Sequence, residues 1–214
     1  TVMIAEESTA WPLVTGKAED GGLGFSLKWN MGWMNDFLEY MKLDPYFRKD
    51  NHNKMTFSMT YAYSENYVLV ISHDEVVHLK CSMLNKMPGY PDDKFRNLKA
   101  AYAFMLFHPG KKLLFMGQEF GQLREWSEER ELDWYLLKEE KHQDFVKTLL
   151  HIYTKYPALY AADNDPEGFE WINADDAYRS IFSLIRKSPT KRNNLLFVVN
   201  YTPVDRPDYR VGVP

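Results

Sequence analysis

Cysteine occurs once in 214 residues, at Cys81, which excludes an intrachain disulfide and fits a reducing cytoplasm. No apolar run approaches the ~18–20 residues that cross a bilayer, and no signal-peptide pattern opens the chain. The expectation is a soluble cytoplasmic protein with no membrane partner. Positive charge is also in short supply. A formal net charge of −4 and a pI near 5.9 argue against a nucleic-acid partner, which requires clustered Lys and Arg. No G-x-G-x-x-G or P-loop run stands at a strand-to-helix turn, and no His or Asp spacing matches a metal site, so neither cofactor nor metal is expected.

Aromatic residues, by contrast, are plentiful: 6 Trp and 14 Tyr can fill a core or line a cleft with flat, half-polar surfaces. The stretch around which the chain is organised is Tyr67–His78 (YVLVISHDEVVH). Val68, Leu69, Val70 and Ile71 form the uninterrupted, β-branched run of a strand covered on both faces. It ends abruptly in Ser72, His73, Asp74 and Glu75, at the strand end where parallel α/β folds bind ligands. A helix cap at Ser72 or Asp74 is the plainer reading of the same residues.

The rest of the chain repeats that pattern. Thr1–Ala5 reads as a buried strand running into Glu6-Glu7-Ser8-Thr9, and a strand without a polar lead-in suggests the later part of a longer protein. Phe25–Asn30 reads as another strand. The helical spacing of Trp33, Phe37, Tyr40 and Met41 assigns those side chains to the core, leaving Trp29 as a candidate for the site. Lys54–Tyr63 suggests a second, Met-rich helix, and Asp92 or Asp93 should cap a third with Phe95, Leu98, Tyr102, Met105 and Leu106 along one face. Lys112–Met116 is the next strand, running into Gly117-Gln118-Glu119, with Trp126 and Trp134 in the loop beyond. A further helix spans Asp144–Tyr156.

At Pro157 the composition changes. Residues 157–167 read as a linker, and from 168 the period becomes strand-like in Phe169–Asn173, Ser180–Arg186 and Leu195–Asn200, the first two joined by a turn at Ala174-Asp175-Asp176. The reading is therefore α/β over 1–156, the second half of a (β/α)₈ barrel, followed over 168–214 by the start of an all-β domain. An open doubly wound sheet is the competitor.

Four runs now stand in order: Ala5-Glu6-Glu7-Ser8-Thr9, Lys28-Trp29-Asn30-Met31-Gly32-Trp33-Met34, Ser72-His73-Asp74-Glu75-Val76-Val77-His78 and Phe115-Met116-Gly117-Gln118-Glu119-Phe120. In that order and spacing the chain resembles the glycogen branching enzymes of the α-amylase-type glycoside hydrolase superfamily, from end to end. The His-Asp pair is common to the superfamily, whereas SHDEVVH and KWNMGWM are close to family-specific.

The resemblance implies cleavage of α-1,4-glucan by a retaining double displacement, with transfer of the cut chain to a 6-hydroxyl to make an α-1,6 branch. It implies that Glu6 is the general acid/base, that Asp74 stabilises the transition state and that His73 hydrogen-bonds the sugar. Trp29, Asn30, Glu119 and Trp126 become candidate substrate contacts, with a glycogen- or amylose-like α-glucan as partner. A retaining mechanism also needs a nucleophilic carboxylate about 5–5.5 Å from the acid. In the family it lies on an earlier barrel strand, so the resemblance implies that residues 1–214 alone do not catalyse and that an N-terminal half of the same enzyme is their partner. For Glu6 to act as an acid it must be held protonated, which neighbouring carboxylates and partial burial both favour. Asn35 and Leu79 depart from the family, which more often has His and Gly there. Two other readings stay open: an α-glucan hydrolase or debranching enzyme, in which water is the acceptor, and a non-catalytic glucan-binding fragment.

Overall fold

The computed structural model describes residues 1–139, 141–190 and 192–214. Four parallel strands, β1 (Ile4–Ala5), β2 (Leu27–Trp29), β3 (Tyr67–Ile71) and β4 (Lys111–Leu114), form one sheet in the order β1-β2-β3-β4. Chain order and spatial order coincide, as they do round a (β/α)₈ barrel. A doubly wound sheet reverses its strand order at a switch point, which this sheet does not do. Register is continuous: Ala5 pairs with Lys28, Lys28 with Tyr67, and Val68–Ile71 with Lys111–Leu114.

β3 carries the centre of the core. Val68, Leu69, Val70 and Ile71 are all buried, as their unbroken apolar run requires for a strand covered on both faces. β1 differs from expectation. Only Ile4 and Ala5 are strand, and within residues 1–214 Val2, Met3 and Ile4 are exposed while Ala5 lies under cover.

α1 (Met31–Lys42) follows β2 and buries Trp33, Phe37, Tyr40 and Met41, with the Trp33 and Phe37 rings stacked at 4.6 Å. Asp44-Pro45 closes it, since the residue before proline avoids the helical region. The expected Met-rich helix over 54–63 is instead α2 (Asn53–Thr56) followed by a 3₁₀ turn at Phe57–Thr60. Five β-branched or aromatic residues and a serine in that stretch give little intrinsic helix propensity. After α3 (Met83–Lys86) comes α4 (Pro91–Phe107), whose N-cap is Tyr90, not Asp92 or Asp93. Pro91 fits the first helical position, and Asp93 reaches back to accept from the Tyr90 N–H at 3.3 Å. α4 stops at His108, whose extended backbone precedes Pro109.

α5 (Lys141–Lys155) leads to an antiparallel sheet of β5 (Phe169–Asn173), β6 (Ile181–Arg186) and β7 (Leu195–Asn200). The β5–β6 connection is longer than a tight turn, since it includes a 3₁₀ turn at Ala177–Arg179 before β6 begins at Ile181. Phe182, Leu184, Val199 and Tyr201 from this sheet join the cluster built on α1, β3 and α4, so one core runs through both sheets.

Two arginines with no exposed surface lock the junction. Arg48 donates to Met41 O at 2.9 Å and to Asn97 Oδ1 and Tyr201 O, both at 2.8 Å. Arg186 donates to Asp163 Oδ1 at 2.9 Å, to Phe107 O at 3.1 Å and to Gly168 O at 3.2 Å. Burying a guanidinium is costly unless its donors find acceptors; here only Arg48 Nε lacks one among the donors of the two, and each arginine draws its partners from elements far apart in sequence.

Candidate active site

The carboxyl ends of the parallel strands lie along one edge of the sheet, and the polar residues singled out in the sequence follow β1, β2, β3 and β4 there. Glu6 comes directly after β1 and His73-Asp74 directly after β3, with β2 between them. Strand spacing puts those two mouths about 10 Å apart.

At the β3 mouth the helix-cap reading does not hold. His73–Val76 is a single 3₁₀ turn, and Ser72 before it makes no side-chain cap bond. The acids are therefore not consumed in capping. His73 Nε2 lies 3.2 Å from Asp74 Oδ1, both side chains being about half exposed. The His73 ring also packs at 5.9 Å from both Phe115 and Trp126, which meet each other edge to face at 5.3 Å. Trp126 is held in place by its backbone N–H, which donates to Val76 O at 2.9 Å. One end of the edge is thus an aromatic wall beside an imidazole–carboxylate pair.

At the β1 mouth, Glu6 is exposed and Glu7 half-buried. Glu7 accepts from the Thr9 N–H at 2.6 Å, and Thr9 holds its carboxyl below the usual carboxylate range.

The remaining candidates divide. Trp29 is half-buried and packs on the core. Asn30, only 3% exposed, caps α1 by accepting from the Trp33 N–H at 2.9 Å, so its side chain is already committed. Glu119 is half-buried within the 3₁₀ turn Gln118–Phe120, next to buried Gln118, whose amide donates to Ile71 O at 3.4 Å. Gly117 enters that turn at φ +87°, where a β-carbon would meet Gln122 Cβ at 3.2 Å.

Residue-type reasoning missed the groups that fix the loops. Lys28 and Glu65 are buried against the β1–β2 loop. Glu125 accepts from the N–H groups of Leu79 (3.0 Å) and Cys81 (2.6 Å), and Lys80 Nζ donates to Asp74 O at 2.8 Å. The available signal was a charged residue interrupting an apolar run, as Lys28 does in FSLKWN. Among the described residues no cluster of three metal-ligating side chains occurs, and no helix is long and apolar enough to cross a membrane.

A parallel sheet in barrel order with acids at its carboxyl edge, followed by an antiparallel sheet, is the architecture of the α-amylase class. Residues 171–214 match the family described as alpha amylase, C-terminal all-beta domain. Among solved structures, the pullulanase type I of Bacillus subtilis in complex with maltose aligns with 94% of this chain and 33% of its own length at a TM-score of 0.67 and 13% identity. An alpha-amylase from H. orenii aligns with 94% of this chain and 43% of its own length at 0.58 and 14%. At such identities these neighbours speak for the fold alone.

Sequence comparison narrows the class. The chain is 63% identical over 214 residues to the 1,4-alpha-glucan branching enzyme GlgB of Butyrivibrio fibrisolvens, covering 99% of this chain and 34% of that one. It is 54% identical to the enzyme of the same name from Aquifex aeolicus, again over 99% of this chain and 34% of the relative. The chain belongs to the 1,4-alpha-glucan branching-enzyme family of the α-amylase superfamily, and it spans about a third of the length of these relatives.

Proposed function

We propose that residues 1–214 form part of the catalytic unit of an enzyme that cuts α-1,4-glucan and transfers the cut chain to a 6-hydroxyl, creating an α-1,6 branch. The observation that carries this reading is the carboxyl edge itself. Glu6 and the His73–Asp74 pair stand two strands apart on it, in a chain 63% identical over 99% of its length to a branching enzyme. In this assignment Glu6 protonates the leaving oxygen and later deprotonates the incoming 6-hydroxyl, so one carboxyl serves as acid and then base. Asp74 accepts from sugar hydroxyls whose acidity rises as oxocarbenium character develops, an interaction stronger in the transition state than in the ground state. His73 adds a donor there, and its contact with Asp74 keeps both side chains aimed at one place.

Trp126 and Phe115 give a sugar ring an apolar wall at the β3 and β4 mouths, with Glu119 beyond β4 and Trp29 at the adjacent β2 mouth. The Asn30 side chain is spent on the α1 cap. A retaining reaction needs a second carboxylate about 5–5.5 Å from the first, and the family resemblance assigns it to an earlier barrel strand. We therefore place residues 1–156 in the barrel and 168–214 in the β domain, with the nucleophile contributed from outside these 214 residues.

The test uses a protein carrying residues 1–214 within a chain of the relatives' full length. Incubated with amylose, it should raise the proportion of α-1,6 linkages measured by proton NMR without a matching rise in reducing ends. Reducing ends rising without new branches would assign water as the acceptor and overturn the reading.

A further inference from the structure

The loop between β1 and β2 begins at Glu6 and is held by two buried charges of opposite sign, neither of which touches the His73–Asp74 pair or lies at a strand mouth. Lys28, in the middle of β2 and only 4% exposed, is paired in register with Ala5, the residue before Glu6. Its ammonium donates to Thr9 O at 3.0 Å and to Trp11 O at 3.5 Å. Glu65, 8% exposed and just ahead of β3, accepts from the N–H of Val14 at 2.7 Å, from that of Thr15 at 2.8 Å and from the Thr15 hydroxyl. The neighbouring Asn66 N–H closes the arrangement by donating to Thr15 Oγ1 at 3.0 Å.

Burying an ammonium is costly, and a well-packed apolar side chain would stabilise a strand at least as well. All the acceptors of this ammonium are main-chain carbonyls of one loop. Between the Lys28 contacts and the Glu65 contacts lie only Pro12 and Leu13, which leaves the path from Glu6 to Thr15 little freedom. We propose that Lys28 and Glu65 are positioning residues for glycosyl transfer: they pin the β1–β2 loop so that Glu6 is presented in one conformation at the carboxyl edge. The inference rests on the function proposed above, because the loop needs precise placement only if Glu6 transfers a proton.

Three variants in the full-length protein test it. Lys28→Met keeps the stem and removes the donors, and should lower kcat for branching at least tenfold with KM for amylose within twofold of wild type. Lys28→Arg retains charge and donors and should recover most of that loss. Glu65→Gln should speed hydrogen exchange at the Val14 and Thr15 amides at least tenfold, leave the β3 amides unchanged, and lower kcat. If the wild-type protein branches amylose while Lys28→Met or Glu65→Gln retains its kcat, or if Lys28→Arg is no better than Lys28→Met, the inference is wrong and the proposed function stands. A wild-type protein that makes no branches removes the proposed function and the inference with it.

Discussion

At the scale of single residues, the loop after the β3 mouth carries backbone strain around position 79. His78, Leu79 and Cys81 all have positive φ, at 53°, 67° and 67°, a conformation that costs an L-residue about 1–2 kcal/mol and that glycine adopts freely. Leu79 is 94% exposed, so its side chain gains nothing from packing in return. The loop is held instead by Glu125, through the Leu79 and Cys81 N–H groups, and by Lys86 Nζ, which donates to Cys81 O at 3.1 Å. Leu79→Gly keeps these backbone bonds and relieves the strain, less about 0.5–1 kcal/mol for glycine's greater freedom when unfolded. The expected outcome is a stability equal to wild type or higher by up to about 1.5 kcal/mol in urea unfolding. A loss of 1 kcal/mol would show that the leucine side chain has a contact partner.

At the scale of elements, legibility followed burial. β3, α1 and α4 could be read because their cores are continuous and periodic: Val68–Ile71 are all buried, and Trp33, Phe37, Tyr40 and Met41 recur on one face. β1 was harder. Val2, Met3 and Ile4 read as core in one dimension, and they are exposed within residues 1–214. The 53–60 segment misled for another reason, since methionines fill core gaps from short turns as readily as from a helix. Within the site, His73, Asp74 and Glu6 could be picked out because they end apolar runs, whereas Lys28, Glu65 and Glu125 act through main-chain partners 17 to 51 residues away and leave no local pattern. Asn30 separates a structural from a substrate role. Asn30→Ala should cost about 1 kcal/mol through loss of the α1 cap, while Asn30→Asp, an equally good cap, should keep both stability and KM. An Asn30→Asp protein of normal stability with a raised KM would show that the amide also contacts the glucan.

At the scale of the whole molecule, the two sheets are joined by chemistry as well as by sequence. His52 stacks on Phe182 at 3.9 Å and bonds Ala174 O at 2.8 Å, while Arg48 and Arg186 each bridge the α/β part to the β domain. His108, buried between α4 and β4, has its pKa pushed down to about 3 by burial. Its Nδ1 lies 2.9 Å from Pro109 O and its Nε2 2.9 Å from Ser58 Oγ. A carbonyl only accepts, so Nδ1 carries the proton and Nε2 accepts from the serine. His52 and His108 stand ahead of β3 and β4, whereas Glu6, His73 and Asp74 follow the carboxyl ends of β1 and β3. The central claim is that this edge performs glucan transfer with Glu6 as the acid/base, and the most direct measurement is the α-1,6 linkage content of amylose after incubation with full-length wild-type and Glu6→Gln proteins. The account predicts new branches from wild type and a loss of at least a thousandfold in Glu6→Gln, on the order of 4 kcal/mol in the barrier, with unfolding unchanged because the substitution is nearly isosteric. A folded Glu6→Gln protein that branches amylose within tenfold of the wild-type rate would contradict it.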